Sequence, residues 1–267
     1  MPINLTPFNH NPLCYGYTWT INDECRLAEQ IAYIALGQSS HVQKILAAAN
    51  FTPRIPTANA ANAAIRLLTV NDGDDPWHRD GWIFQAMSWI AANKAMPNGL
   101  IAKPHMIHAQ KGFDGIQLKL DNAKNVVAAI IFEDKATENP RKIIREDVLP
   151  GFSIFESGER ENELTAEIIS ILQTQHDIDE DAAIETIIWK NIRHYRVSIT
   201  IGDTHAKNNA SHKSLFNDYD TFIKGSLPID IEKRRAETFY VNNLRDWMEQ
   251  LAQKAIASIQ SKVVTHV

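Results

Sequence analysis

Seven consecutive apolar residues, Val126-Val127-Ala128-Ala129-Ile130-Ile131-Phe132, constrain this chain more than any other feature. β-Branched and aromatic side chains favour extended backbone, and a strand with one wet face would alternate apolar with polar residues. This run does not alternate. It predicts a strand buried on both sides, at the centre of a sheet that carries a packed layer on each face.

The flanking sequence supplies candidates for those layers. Strand-like segments over 103–109 and 113–120 precede the run, joined by short polar links, and predict a three-stranded meander. Ahead of them, a helix is expected from Asp80, as its cap, to about residue 95. Trp82, Phe84, Ala86, Met87, Trp89, Ile90 and Ala91 make it apolar around much of its circumference. Helical spacing returns at 161–173 and 182–189, and 194–201 alternates like a further strand. Residues 239–259 read as a last amphipathic helix. Towards the amino terminus, residues 24–49 suggest two short helices broken at Gly37-Gln38-Ser39-Ser40, and 59–68 suggest a third. The break Asn71-Asp72-Gly73-Asp74-Asp75-Pro76 then marks a boundary. The expectation is an α/β protein: a helical amino-terminal region over 1–75, and a domain over 76–267 with a mixed central sheet flanked by helices.

Composition excludes some classes of function. No stretch approaches the roughly 18–20 apolar residues needed to cross a bilayer, and the first residues lack a basic segment followed by an apolar one, so a cytoplasmic protein is expected. Cys14 and Cys25 are too few for a disulfide framework. The net charge of −5 argues against a uniformly basic surface. Only residues 101–150 are net positive, with eight Lys/Arg against seven Asp/Glu. No phosphate-binding Gly-Lys-Ser/Thr loop, dinucleotide turn or nucleophile elbow occurs, so any ATP-driven step belongs to a partner.

The apolar run ends in Glu133-Asp134-Lys135, the only acid-x-Lys triplet in the chain. Residues i and i+2 of a strand share a face, so Glu133 and Lys135 project together while Asp134 points away. If 113–120 and 126–133 run antiparallel, the start of the first lies beside the end of the second, and Asp114 joins them. Two carboxylates and a lysine at one point suit phosphodiester hydrolysis. Asp114 and Glu133 would bind Mg²⁺, with Mn²⁺ as a substitute, and Lys135 would orient water or stabilise the phosphate.

Gly112-Phe113-Asp114 followed by Phe132-Glu133-Asp134-Lys135 resembles the PD-(D/E)XK, or restriction-endonuclease-like, nuclease superfamily. Over residues 79–202 the resemblance implies a mixed central sheet flanked by helices, Mg²⁺ dependence and DNA as substrate. Members often carry a Glu on the preceding helix; this helix offers Gln85, a poorer metal ligand. The layout is similar to nuclease effectors of bacterial antiviral systems such as Hachiman and Lamassu, which implies a helicase or other ATPase as partner. The alternative is a non-catalytic subunit serving as a nucleic-acid clamp or docking platform.

Arg141, Lys142 and Arg145 lie just beyond the triplet and are candidates to grip phosphates. His105 and His108 sit at i and i+3, which face opposite sides of a strand and disfavour shared metal ligation. His205 and His212 fall in a polar stretch that needs no function to explain it. Trp77 with His78, and Tyr195 between Arg193 and Arg196, combine aromatic and basic character suited to stacking on bases, although core packing or a surface accident is the better account of them.

Overall fold

A computed structural model of the chain describes all residues except 47–53, 108–111, 174, 176, 224–229 and 264–267. Its frame is a mixed seven-stranded sheet in the order β1-β2-β7-β6-β5-β4-β3. The strands are β1 (Ile3–His10), β2 (Cys14–Ile21), β3 (Leu100–Ile101), β4 (Gly115–Leu120), β5 (Val126–Lys135), β6 (Arg193–Ile201) and β7 (Arg234–Tyr240). β3, β4 and β5 form an antiparallel meander, β5, β6, β7 and β2 run parallel, and β1 returns antiparallel at the edge.

The expected central run is β5, and its residues are divided between two cores. Ala129 and Ile131 pack into one, Ile130 and Phe132 into the other. Each fully buried branched side chain contributes roughly 1.5–3 kcal/mol over its exposed state, so neither face of β5 can be left uncovered. On the face of Ile130 and Phe132 lie α1 (Glu24–Ala35), α2 (Ser39–Leu46), α3 (Ala58–Leu68), α4 (Trp77–Ala95) and the late helix α12 (Leu244–Lys262). The opposite face holds α5 (Pro140–Ile143), a π-helical turn at Ile144–Val148, α6 (Leu149–Glu156), α7 (Glu161–Leu172) and α8 (Glu180–Ile184) with its own π turn at Glu185–Trp189. The short helices α9 (Asp203–Ala206), α10 (Asn209–Ser214) and α11 (Tyr219–Phe222) follow β6. Leu215, Phe216 and Tyr219 from this segment complete the second core.

Several boundaries differ from expectation. Residues 3–21, placed in a helical region, form the β1–β2 hairpin, and β2 pairs with β7 to make the hairpin part of the main sheet. Gly16 lets the backbones meet there, because a Cβ on it would overlap the Ala236 carbonyl. The boundary near 71–76 separates α3 from α4, yet residues from both sides, such as Ile31 and Leu68 with Met87 and Met248, share one core. The expected strand over 103–109 is only the two residues of β3, shifted to 100–101; Pro104 has no N–H to donate to a ladder. His108 lies outside the described residues.

Two further corrections concern ends of elements. Asp80 does not cap α4, which begins three residues earlier behind Pro76; Asp80 is buried and accepts hydrogen bonds from Arg79 and from Arg245 on α12. Phe239 belongs to β7, and the last helix starts at Leu244. Among the described residues, no helix is long and apolar enough to cross a membrane.

Candidate active site

Antiparallel pairing of β4 and β5 places Gly115 opposite Phe132, and the Asp114 N–H donates to the Phe132 carbonyl at 3.1 Å. One residue further along each strand, Asp114 and Glu133 stand side by side. The pleat turns Glu133 and Lys135 to the α5–α6 face and Asp134 to the α4 face. Lys135 Nζ lies 2.8 Å from Glu133 Oε2 and 3.5 Å from Asp114 Oδ2. A third carboxylate, Asp147, reaches to 3.7 Å of the same ammonium from the π turn after α5.

Asp114 is held from two sides. Gln85 Nε2 on α4 donates to its Oδ1 at 2.5 Å, and the Asp134 backbone N–H donates to its Oδ2 at 2.7 Å. Asp134 in turn is buried, and its carboxylate accepts from Ser88 Oγ at 2.6 Å beneath α4. Thus α4 contributes two polar side chains at successive turns, Gln85 and Ser88, one to each Asp.

The charges here are unbalanced. Burial, then the neighbouring Asp114, pushes the Glu133 carboxyl up to about 8, against the pull of Lys135. Burial likewise disfavours the charge on Lys135, but Asp114 and Glu133 outweigh it and hold the ammonium well above its usual range. Asp134 is raised to about 7, chiefly by burial, with Arg196 opposing.

The remaining sequence candidates divide. Arg141 is committed to the fold: its guanidinium donates to the carbonyls of Leu215 and Asn217 and pairs with Asp218 at 2.7 Å. Lys142 and Arg145 are exposed, and both pair with Glu146. Tyr195, Arg193 and Arg196 are all buried and so present no surface for a base. His212 is buried as well and hydrogen-bonds His10 at 2.6 Å and Thr238 at 3.0 Å. Trp82 Nε1 donates to the His105 carbonyl, which fixes that segment's backbone near α4. Trp77 is 63% exposed.

The site opens into a cavity of about 510 Å³ lined by Trp77, His78, Gln85, Asp114, Lys135 and Asp147 among others. Asp147 was not singled out from the sequence. It follows Lys135 by twelve positions and stands within the π turn, which packs back beside the strand end.

Among the described residues, no group of three or more His, Cys, Asp and Glu is arranged to hold a metal ion. Mg²⁺ asks less than that: it keeps several waters and takes one or two carboxylates, which Asp114 and Glu133 provide. The penalised negative charge on Glu133 is of the kind a cation would relieve. No protein-family model matches the chain, and neither does any curated protein.

Proposed function

We propose that the chain is a metal-dependent nuclease that hydrolyses DNA phosphodiester bonds, with a restriction-endonuclease-like core running from α4 to β6. One observation carries the reading: Asp114, just ahead of β4, and Glu133, on the antiparallel neighbour β5, both lie within 3.5 Å of Lys135, and Asp114 and Lys135 line a cavity. The order of a helix, an antiparallel meander and a helical crossover to a parallel strand supports it.

Asp114 and Glu133 are the groups that would hold Mg²⁺ or Mn²⁺, and the ion would supply Lewis acidity and a water of lowered pKa. Lys135, kept protonated, faces the phosphate and stabilises the negative charge that grows on it. Gln85 fixes the Asp114 carboxylate through its amide and takes the place a Glu holds in many nucleases of this type. The chain would act as the effector of an antiviral system, with an ATPase partner supplying any motor.

The test is cleavage of supercoiled and linear duplex DNA, and of single strands, by purified protein with Mg²⁺ or Mn²⁺, beside Lys135→Ala and an EDTA control. Metal-dependent cleavage lost in Lys135→Ala supports the nuclease. Unchanged biological function in Asp114→Ala and Lys135→Ala would instead favour the non-catalytic clamp or docking subunit.

A further inference from the structure

We infer that Trp77 is a stacking platform for an unpaired base, and that the substrate strand enters the site single-stranded or frayed. The inference rests on the nuclease reading of the neighbouring site.

Trp77 opens α4 and is 63% exposed, although it belongs to a helix whose other tryptophans, Trp82 and Trp89, are buried. Exposure alone does not set it apart, since Trp189 is 77% exposed; its position does. It lines the 510 Å³ cavity that contains Asp114 and Lys135, together with Ile107, itself 60% exposed. It also lines a second cavity of about 400 Å³ with Arg66, Asn71 and His78. Trp77 therefore stands on the path that leads out of the site and over the junction of α3 and α4. Arg66, which lines the second cavity, is exposed.

The charges explain why a base, not a phosphate, should supply much of the attraction. Arg245, which lines the first cavity, is bonded to Asp80, and Arg141 is spent on the α10–α11 segment. Asp114, Glu138 and Asp147 add negative charge around Lys135. Backbone recognition of a duplex depends on several free cations, and this cleft offers few. Aromatic stacking needs none and is indifferent to sequence. In a duplex each base already lies against its neighbours, so only an unpaired or extruded base can turn its face to Trp77. The cavity is of the size that takes a nucleotide or two, within the roughly 300–1,000 Å³ of small-ligand clefts.

The experiment measures fluorescence anisotropy of labelled oligothymidylate and of a blunt duplex of equal length, in EDTA, so that no cleavage occurs. Wild type should bind the single strand more tightly. Trp77→Ala should weaken that binding about fivefold to a hundredfold, Trp77→Phe should retain most of it, and Trp189→Ala should leave it unchanged. Trp189 is the matched control, 77% exposed and outside both cavities. Single-strand binding by Trp77→Ala equal to wild type, an equal loss in Trp189→Ala, or a preference for the duplex would each overturn the inference. Cleavage with Mn²⁺ is scored separately. Trp77-dependent binding without any cleavage would sink the nuclease reading alone, and cleavage with Trp77-independent binding would sink the platform alone.

Discussion

Two clusters of buried charge sit on neighbouring parts of the same sheet and titrate in opposite directions. At the end of β5, one ammonium, Lys135, faces three carboxylates, and the Glu133 carboxyl is pushed up to about 8. Midway along β6 and β7, two guanidinia, Arg196 and Arg235, flank Glu237 at 2.7 and 2.5 Å, and Trp19 Nε1 donates to it at 2.7 Å. Burial raises Glu237 too, yet the two arginines outweigh it and leave the carboxyl below its usual range. Both glutamates are buried, so the ratio of cations to anions around each decides the sign. The second cluster is well supplied with positive charge, although Arg196 Nε, Arg235 Nε and Nη2 and Glu237 Oε1 find no hydrogen-bond partner among the described residues. The first is short of positive charge, and Asp114, Lys135 and Asp147 line a cavity.

If that contrast holds, changes in the closed cluster cost stability and changes in the open one cost activity. The largest effect should come from Glu237→Ala, which strands two buried guanidinia. About 3–5 kcal/mol should be lost in urea unfolding, while the fraction still folded cleaves DNA normally. Next, Lys135→Ala should lower the cleavage rate about 100- to 1,000-fold, roughly 3–4 kcal/mol of transition-state stabilisation, with the urea midpoint little changed. A Lys135→Ala protein that unfolds as readily as Glu237→Ala would erase the distinction between the clusters.

A smaller effect concerns pH. His10 and His212 are both lowered, mainly by burial, and His212 falls to about 4. The unfolded chain therefore binds protons that the folded one refuses. Stability from this pair is full above about pH 6.5 and drains away as pH falls towards 4, by roughly 2–3 kcal/mol. His212→Asn should flatten that slope in urea midpoints taken between pH 7 and 4. The smallest is Gln85→Ala, which frees the Asp114 carboxylate on one side: cleavage should fall about tenfold, or roughly 1.4 kcal/mol, without a stability change of similar size. A tenfold gain from Gln85→Glu would show instead that the amide limits the site.

The contrast also marks what could be read from the sequence. β5 and its terminal Glu133-Asp134-Lys135 were legible because an apolar run and an i, i+2 spacing are local facts. Asp114 followed from the short link between β4 and β5. β7 was not legible: Arg-Arg-Ala-Glu-Thr-Phe-Tyr looks like a solvated segment, and its charges are tolerable inside because distant residues meet them, Arg196 and Trp19 at Glu237 and the carbonyls of Pro12, Leu13 and Ile223 at Arg234. The β1–β2 hairpin was hidden by Pro7, Asn9, Asn11 and Pro12, which suit an edge strand and a turn but blur alternation. Arg141 read as a phosphate grip because its partners, at 215–218, are likewise distant in sequence.

The place of β7 has a consequence for how the molecule comes into being. It lies between β2 and β6, so residues 15–19 find their partner only at residues 235–239. Such distant pairing is slow, and on a ribosome it waits until β7 has been made. Until then the amino-terminal hairpin has no slot in the main sheet, Arg196 has no Glu237, and the α4 layer over Asp114 and Asp134 lacks Met248 and Leu251 of α12 behind it. The sheet that carries the β4–β5 site is thus closed by a strand made about a hundred residues after it, and a chain stopped short of β7 lacks that strand.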